Sequence, residues 1–468
     1  MLRSVQCAES SEHCTDRSSS VIFFDSERWQ ARLDELRAAH GVPGAALAVL
    51  AGGTVHELAA GVLHRGTGVA ARPGSVFLAG SLAKVYTATL VMQLADEGRL
   101  DLDAPVVSAL PEFATPEPRA TEAVTVRRLL SHTGGLTNDF TYDSGRGDDC
   151  LARYVAALRE VPLDCPPGSA LSYGSSGYVV LGRLVEVLTG LTWDRALRER
   201  LLDPLGLEHT MTLPEQAPRF RVAMGHIGAD PAPVWDAMPR SAGPYGRIIV
   251  SAGDVARFAR MHLDGGVAPG GARVLSERAV AAMRARHADS PDPWSMSADG
   301  WGLGWTLHDW DGVPGFGHDG SAVTQHAYLR VVPHAGVAVV LLANGGRFAR
   351  LYADLCGELL AELAGVRLPP PFAPPAVPPE ADMSALDGVY RRAGVVITVG
   401  GGRIRYEFVD GMEGLSPPLE AGLVPVSGNV FAASGGPFRE DHVPVVFGAL
   451  PDGTPCVYVS MRCAPKAE

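Results

Sequence analysis

No stretch of this 468-residue chain is long and apolar enough to cross a bilayer. Its longest apolar run, Val337 to Ala343, has the length of a buried strand, so no membrane partner is expected. Residues 1–25 carry Cys7, Cys14 and several charged and serine residues, but no apolar core of the kind a secretory signal needs, and the expected location is cytoplasmic. Cysteine is scarce: seven residues, an odd number at irregular spacings with no Cys-x-x-Cys pair, indicate neither a disulfide framework nor a zinc site. Cys150 and Cys165 could pair, although two free thiols is the expectation in a reducing compartment. No metal and no cofactor are expected. Clustered basic charge is also missing, and a formal net charge of −12 opposes a polyanion, which removes nucleic acid from the expected partners. No fixed-period repeat is present.

What is present is globular, with 46% hydrophobic residues. Ser26 is placed to cap a helix bearing Trp29, Leu33 and Leu36, ended by Gly41 before Pro43. Ala45–Leu50 and Val55–Gly61 flank Gly52-Gly53 as a hairpin. Helical patterns fill the middle of the chain, and strands return around Trp301–Trp305, Gly317–Ser321 and Val337–Leu342 before a helix from Phe348 to Leu363. Strands at both ends with helices between them imply an α+β fold: an antiparallel sheet built from distant halves of the sequence, with a mostly helical domain inserted. Residues 368–379 hold seven of the 36 prolines and read as a semi-rigid spacer. Short β-type runs follow (Val395–Val399, Arg403–Phe408, Leu423–Val426, Val443–Phe447, Cys456–Met461), which predict a small barrel, marginal alone and so docked on the main domain. The expected organisation is an extension over 1–25, a main domain over 26–367, a linker over 368–384 and a barrel over 385–468.

Between Phe77 and Gly98 the pattern is that of a helix apolar all round, hence buried, and it opens on Ser81-Leu82-Ala83-Lys84. Residues three apart share a helical face, which puts the Ser81 hydroxyl within reach of the Lys84 amine. Burial disfavours a charged lysine, and a neutral amine can take a serine proton. By itself the pair reads as readily as a capping serine followed by a solvated lysine. The same ambiguity attaches to His132, a cap or a catalytic group beside Gly134-Gly135, and to Tyr173, a half-buried aromatic or a catalytic phenol.

Ser81-x-x-Lys84, Tyr173-x-Ser175 and His318-x-Gly320, in this order and spacing, resemble the serine β-lactamase and penicillin-binding-protein superfamily, in its class C-like branch of esterases, D-aminopeptidases, transpeptidases and acyltransferases. The resemblance spans roughly residues 26–365 and takes in Gly41-Val42-Pro43-Gly44, Leu129 to Leu136, Pro204-Leu205-Gly206-Leu207 and Gly317-His318-Asp319-Gly320. The proline-rich linker and barrel resemble the lipocalin-like appendage of some peptidases of this branch and of penicillin-binding-protein-type thioesterases. The resemblance implies that Ser81 forms an acyl-enzyme, that Lys84 and Tyr173 share the base work with Tyr173 as a phenolate beside the lysine cation, and that the backbone N–H groups of Ser81 and Ser321 hold the oxyanion beside Gly320. His318 takes the place of a lysine.

Two departures matter. Ser175 stands where the branch commonly has Asn, so a side-chain amide for the substrate is missing, and His318 removes a fixed cation for a β-lactam carboxylate. β-Lactamase and cell-wall peptidase activity are therefore disfavoured. The expected function is a serine hydrolase or acyltransferase acting on a small-molecule or peptide substrate through amide, ester or thioester bonds. Its most specific version is a thioesterase that takes a peptide from a peptidyl carrier protein and cyclises it. The alternatives are a D-stereospecific aminopeptidase or carboxylesterase, and a non-catalytic sensor that only binds. Because the motifs all precede the linker, a chain without residues 368–468 is expected to keep a reactive Ser81.

Overall fold

The computed structural model describes residues 24–140, 142–434 and 441–467. Most of the expected N-terminal extension, with Cys7 and Cys14, lies outside them. The other five cysteines, Cys150 and Cys165 included, are free thiols. Among the described residues no helix is long and apolar enough to cross a membrane.

A nine-stranded antiparallel sheet forms the frame, and sequence-distant strands meet at its centre: Gly44–Ala51 pairs with Thr54–His64 on one side and Val337–Ala343 on the other. Both central strands are buried along their whole length, and their side chains alternate between two cores as strand geometry dictates. Leu47, Val49, Val339 and Leu341 pack under the helix Ser26–Ala39 and the C-terminal helical segment from Phe348 to Ala364. Ala46, Ala48, Val340 and Leu342 face the larger core, which contains the helices Ala83–Asp96, Ser176–Thr189 and Ala252–Leu263. Sheet, covering helices and inserted helical region together make the α+β architecture of β-lactamases.

Three local expectations shift. Asp25, not Ser26, caps the first helix, its carboxylate accepting from the Arg28 N–H at 3.0 Å. Gly80–Leu82 forms one tight 3-10 turn before the helix proper begins at Ala83. The C-terminal barrel has eight strands in simple meander order, nearly closed where Ala467 N donates to the Val389 carbonyl at 2.7 Å. In it the expected strand Cys456–Met461 is broken: Pro455–Val459 and Arg462–Pro465 form a hairpin whose two turn residues, Ser460 and Met461, both have positive φ (52° and 64°). That is the turn geometry matching strand twist, built here without the glycine or asparagine that usually announces it.

The strand Val313–Ala322 positions the site. Its neighbour Thr306–Trp310 reaches only to Gly317, so the edge beyond is open and lies against the Gly80–Leu82 turn. Glycines face each other there: a Cβ on Gly320 would lie 1.9 Å from the Ala79 carbonyl oxygen, and one on Gly80 (φ +53°) 2.5 Å from Ser321 N. Only two bare backbones can approach this closely. Gly320→Ala is expected to lower stability by about 1–3 kcal/mol through overpacking. It should also slow labelling of Ser81 by a fluorophosphonate at least ~100-fold, because the backbone N–H groups of Ser81 and Ser321, the expected oxyanion donors, are pushed apart. A thermal melt and labelling rate like those of the parent protein would show that the close approach is dispensable.

Candidate active site

Ser81 is half-buried in its turn, and every side chain from Ala83 to Leu94 is buried, Lys84 completely. Lys84 Nζ lies 3.1 Å from Ser81 Oγ, 2.9 Å from the Tyr245 carbonyl oxygen and 3.5 Å from Ser175 Oγ. The direction of each bond can be worked out from the far end. Asp139 accepts from Asn138 Nδ2 at 2.8 Å, which fixes the carboxamide, and Ser175 Oγ therefore donates to Asn138 Oδ1 at 2.8 Å. Having spent its proton, Ser175 accepts from Lys84. A neutral amine fits this arrangement: two N–H groups go to Tyr245 and Ser175, and the lone pair faces the Ser81 hydroxyl. Burial pushes the Lys84 amine well below its ordinary value, and the nearby charge of Arg462 acts in the same direction.

The buried Tyr173 ring lies over this amine, with Nζ 4.7 Å from its centroid. Burial raises the phenol well above its usual pKa, offset only in part by the Ser81 side chain and Arg462, and among the described residues its hydroxyl has no hydrogen-bond partner of ordinary length. Against the expected phenolate beside a lysine cation, desolvation is the largest influence on both groups and favours a free amine and a phenol. So arranged, Lys84 can take the Ser81 proton while Tyr173 can donate to a leaving group.

His318 is wholly buried behind Tyr173 and Trp301, with ring centroids 6.3 and 5.8 Å away. Its Nδ1 donates to the Asp319 carbonyl at 2.6 Å, and burial brings its pKa down to about 3, so it is neutral and does not border the cleft. Ser175 likewise turns inward to Lys84 rather than toward a substrate. Asn138, which sequence reasoning passed over, brings a side-chain amide to this cluster. His132 combines two roles. Its backbone, at φ 58°, ends the helix Val126–Leu130, with Thr133 N donating to the Arg128 carbonyl. Its ring packs 4.4 Å from that of Tyr173, and its Nδ1 accepts from Gly174 N–H at 3.1 Å.

The cleft in front of Ser81 has a volume of about 420 Å³. Ser81, Tyr173, Gly320 and Ser321 form one wall, and Val443, Ser460 and Arg462 of the barrel form the other. Three larger hollows, two of about 680 Å³ and one of about 600 Å³, are lined by none of Ser81, Tyr173, Gly320 and Ser321. The barrel hairpin reaches into the site: Met461 is fully buried against Tyr173 and Trp301, and its carbonyl accepts the Tyr173 N–H at 2.9 Å. Cys463 N donates to Ser172 Oγ at 3.1 Å, and Arg392 forms a buried ion pair with Asp139. Arg462 stands 5.4 Å from the Tyr173 ring centroid and pairs with no carboxylate among the described residues. Neither Met461 nor Arg462 was visible as a site residue, because the turn that projects them lacks a sequence signal.

A serine hydroxyl beside a desolvated amine and a phenol, at the mouth of an open strand edge, is the arrangement of a serine hydrolase. The chain belongs to the Beta-lactamase family, whose signature covers residues 29–355. It is 60% identical to penicillin-binding protein 4 of Amycolatopsis lactamdurans over 376 residues, which are 79% of this chain and 99% of that one. The crystal structure of SurE with D-Leu superposes with a TM-score of 0.74 at 29% identity, covering 94% of this chain and 99% of SurE. A class C β-lactamase shares the fold over 74% of this chain and 99% of its own, with a TM-score of 0.62 at 20% identity.

Activity is expected to follow the neutral fraction of Lys84. Because the folded pKa is lowered, kcat/KM should rise with pH through that lowered pKa and reach its plateau well below the ordinary lysine value of 10.5. Linkage has the same sign: the unfolded chain binds the extra proton, so this residue's contribution to stability grows with pH until the unfolded lysine also titrates. Lys84→Arg, which cannot deprotonate, should lose at least ~100-fold at every pH. A variant with near-normal turnover would remove Lys84 from the base role.

Proposed function

We propose that the protein is a stand-alone acyltransferase that accepts a peptidyl thioester ending in a D-residue, holds it on Ser81 and releases it mainly as a cyclic peptide. The observation that carries this reading is the barrel wall. A barrel arginine, the turn at Ser460 and the start of the strand His442–Ala449 close over the nucleophile. A wall of this kind excludes water, and an amine tethered to the same acyl chain, at effective molarities of about 10⁵ M or more, then outcompetes what water remains.

In this scheme Lys84 takes the Ser81 proton as the hydroxyl attacks the thioester carbonyl. The carbonyl π pair moves onto oxygen and is held by the N–H groups of Ser81 and Ser321. As the intermediate collapses, the thiolate leaves with the Tyr173 proton, which the Lys84 ammonium replaces, so that the acyl-enzyme again holds a neutral amine and a phenol. The substrate's amine then repeats the attack in reverse, its proton returning through Lys84 to Ser81. Gly320 keeps the two donors together, Asn138 and Ser175 fix the amine, and His132 and His318 hold Tyr173 as positioning residues. Arg462 supplies the cation that His318 does not, facing carbonyl or carboxylate oxygens of the substrate. SurE, crystallised with D-Leu, supports a D-configured terminus. Delivery by a peptidyl carrier protein and a cytoplasmic setting belong to the same reading. A sensor would have no need of a desolvated amine beside a hydroxyl.

A linear peptide thioester with a C-terminal D-residue should give mainly cyclic product, and an L-terminated control should react at least ~10-fold more slowly, both read by mass spectrometry. A product pool of linear acid from every peptide, with ready hydrolysis of D-aminoacyl amides or simple esters, would falsify cyclisation and leave the aminopeptidase or esterase. The name of the Amycolatopsis relative favours one second reading, that β-lactams acylate Ser81. A fluorescent penicillin that labels the parent but not Ser81→Ala would support it.

A further inference from the structure

The barrel is filled unevenly. At one end Tyr390, Phe431 and Phe447 meet edge to face and close the lumen. At the other, the inward positions of adjacent strands carry Ala421 and Ala433, too small to fill the space between Ile404, Leu419, Val445 and Val459. A cavity of about 270 Å³ remains. Its walls are mostly aliphatic and aromatic, with Ser416, Glu420, Ser460 and Arg462 also among them; Glu420 is paired with Arg405, and the one phenol, Tyr406, has its hydroxyl engaged by Arg392 at 2.6 Å. A space lined this way offers water few partners, and far smaller apolar cavities, of about 150 Å³, stay dry and take up benzene.

The location of the cavity gives it a use. Val443, Ser460 and Arg462 line both this cavity and the cleft over Ser81, so the lumen opens into the cleft rather than onto an unrelated face. The Arg462 guanidinium stands at the junction without a carboxylate partner among the described residues. A group that enters the lumen therefore passes a cation on one side and ends in a dry apolar space on the other. That order, an oxygen-bearing backbone followed by an apolar branch, is the chemistry of an amino-acid residue with a large apolar side chain, or of an acyl chain of up to about ten carbons by volume.

We propose that the mouth of the barrel is a binding site for an apolar side chain or acyl chain of the substrate, held at its carbonyl or carboxylate by Arg462 while the substrate reacts at Ser81. This rests on the acyl-transfer reading of Ser81 for its use, though not for its existence. The shared chemistry could belong to the acyl donor or to the incoming amine, and the selectivity it confers is steep, since each methylene buried is worth roughly fourfold in affinity. The lumen is thereby a specificity pocket supplied by the appended barrel.

The test uses the full-length protein. N-Phenyl-1-naphthylamine, which brightens in apolar surroundings, should bind and be displaced by decanoate. Ala433→Trp, which fills the cavity, should weaken the dye at least ~10-fold, and Ala421→Leu, a smaller filler, provides a second measurement should the first variant melt early. In parallel, acetyl and octanoyl thioesters are compared as donors, and glycine amide and phenylalanine amide as acceptors. In the filled variant the preference for the larger member should fall at least ~10-fold in the series that uses the lumen, which names the source. Absence of dye binding, dye binding unchanged in both variants, or preferences unchanged in both series overturns the proposal. Dye binding does not need Ser81 chemistry. A protein that binds the dye in its barrel and shows the donor preference, yet releases only linear acids, refutes cyclisation alone.

Discussion

A lysine amine stripped of water is the constraint around which the site is built. No carboxylate pairs with Lys84 among the described residues, and burial pushes its amine well below the ordinary value, which favours the neutral form. Keeping it neutral requires the all-round apolar helix, the Tyr173 ring above it and an acceptor for each N–H. The amine's lone pair then has one polar neighbour to face, Ser81. The same desolvation keeps Tyr173 a phenol and His318 an uncharged imidazole. One physical cause therefore acts on all three titratable groups, and among the described residues Arg462 brings to the cleft a charge that no carboxylate pairs.

The barrel enters this arrangement as a structural part of it. Tyr173 has its backbone N–H bonded to the Met461 carbonyl, and Ser172 beside it accepts from Cys463. A second line runs from Arg392 through Asp139, Asn138 and Ser175 to Lys84. Both the phenol and the amine are thus tied to a unit that begins after a proline-rich spacer. The idea that the main domain carries a self-sufficient site, natural when all motifs precede residue 368, does not fit these bonds. Loss of the barrel would expose Met461's contact surface on Tyr173 and Trp301 and leave the Asp139 carboxylate buried without its guanidinium.

How much could be seen in advance follows from what each signal depends on. Periodicity and turn chemistry are local, and the central strands, the Gly52-Gly53 hairpin and the buried helix all follow from them. The motif residues were legible because their spacing resembles a known superfamily. Protonation states were not, since the phenolate assignment assumed a lysine cation whose desolvation only the packed structure reveals. Asn138 lies two residues beyond the run that drew attention, and its role depends on a neighbour 37 residues away. Arg462 was hidden by the missing turn signal: with no glycine at Ser460 or Met461, Cys456 to Met461 reads as one strand.

That absence is itself a clue to function. Two adjacent non-glycine residues in left-handed conformation cost of order 1–3 kcal/mol each, and a sequence under no other constraint would place Asn-Gly there. Glycine at Met461 would relieve the backbone, yet it would remove the side chain that fills the space between Tyr173 and Trp301. Glycine at Ser460 would take away one rim of the passage from the cleft to the lumen. The strain therefore remains where both side chains are in use. It is held by the Met461 carbonyl accepting from the backbone N–H of Tyr173, so that the geometry of the barrel tip and the position of the Tyr173 phenol are set by the same bond.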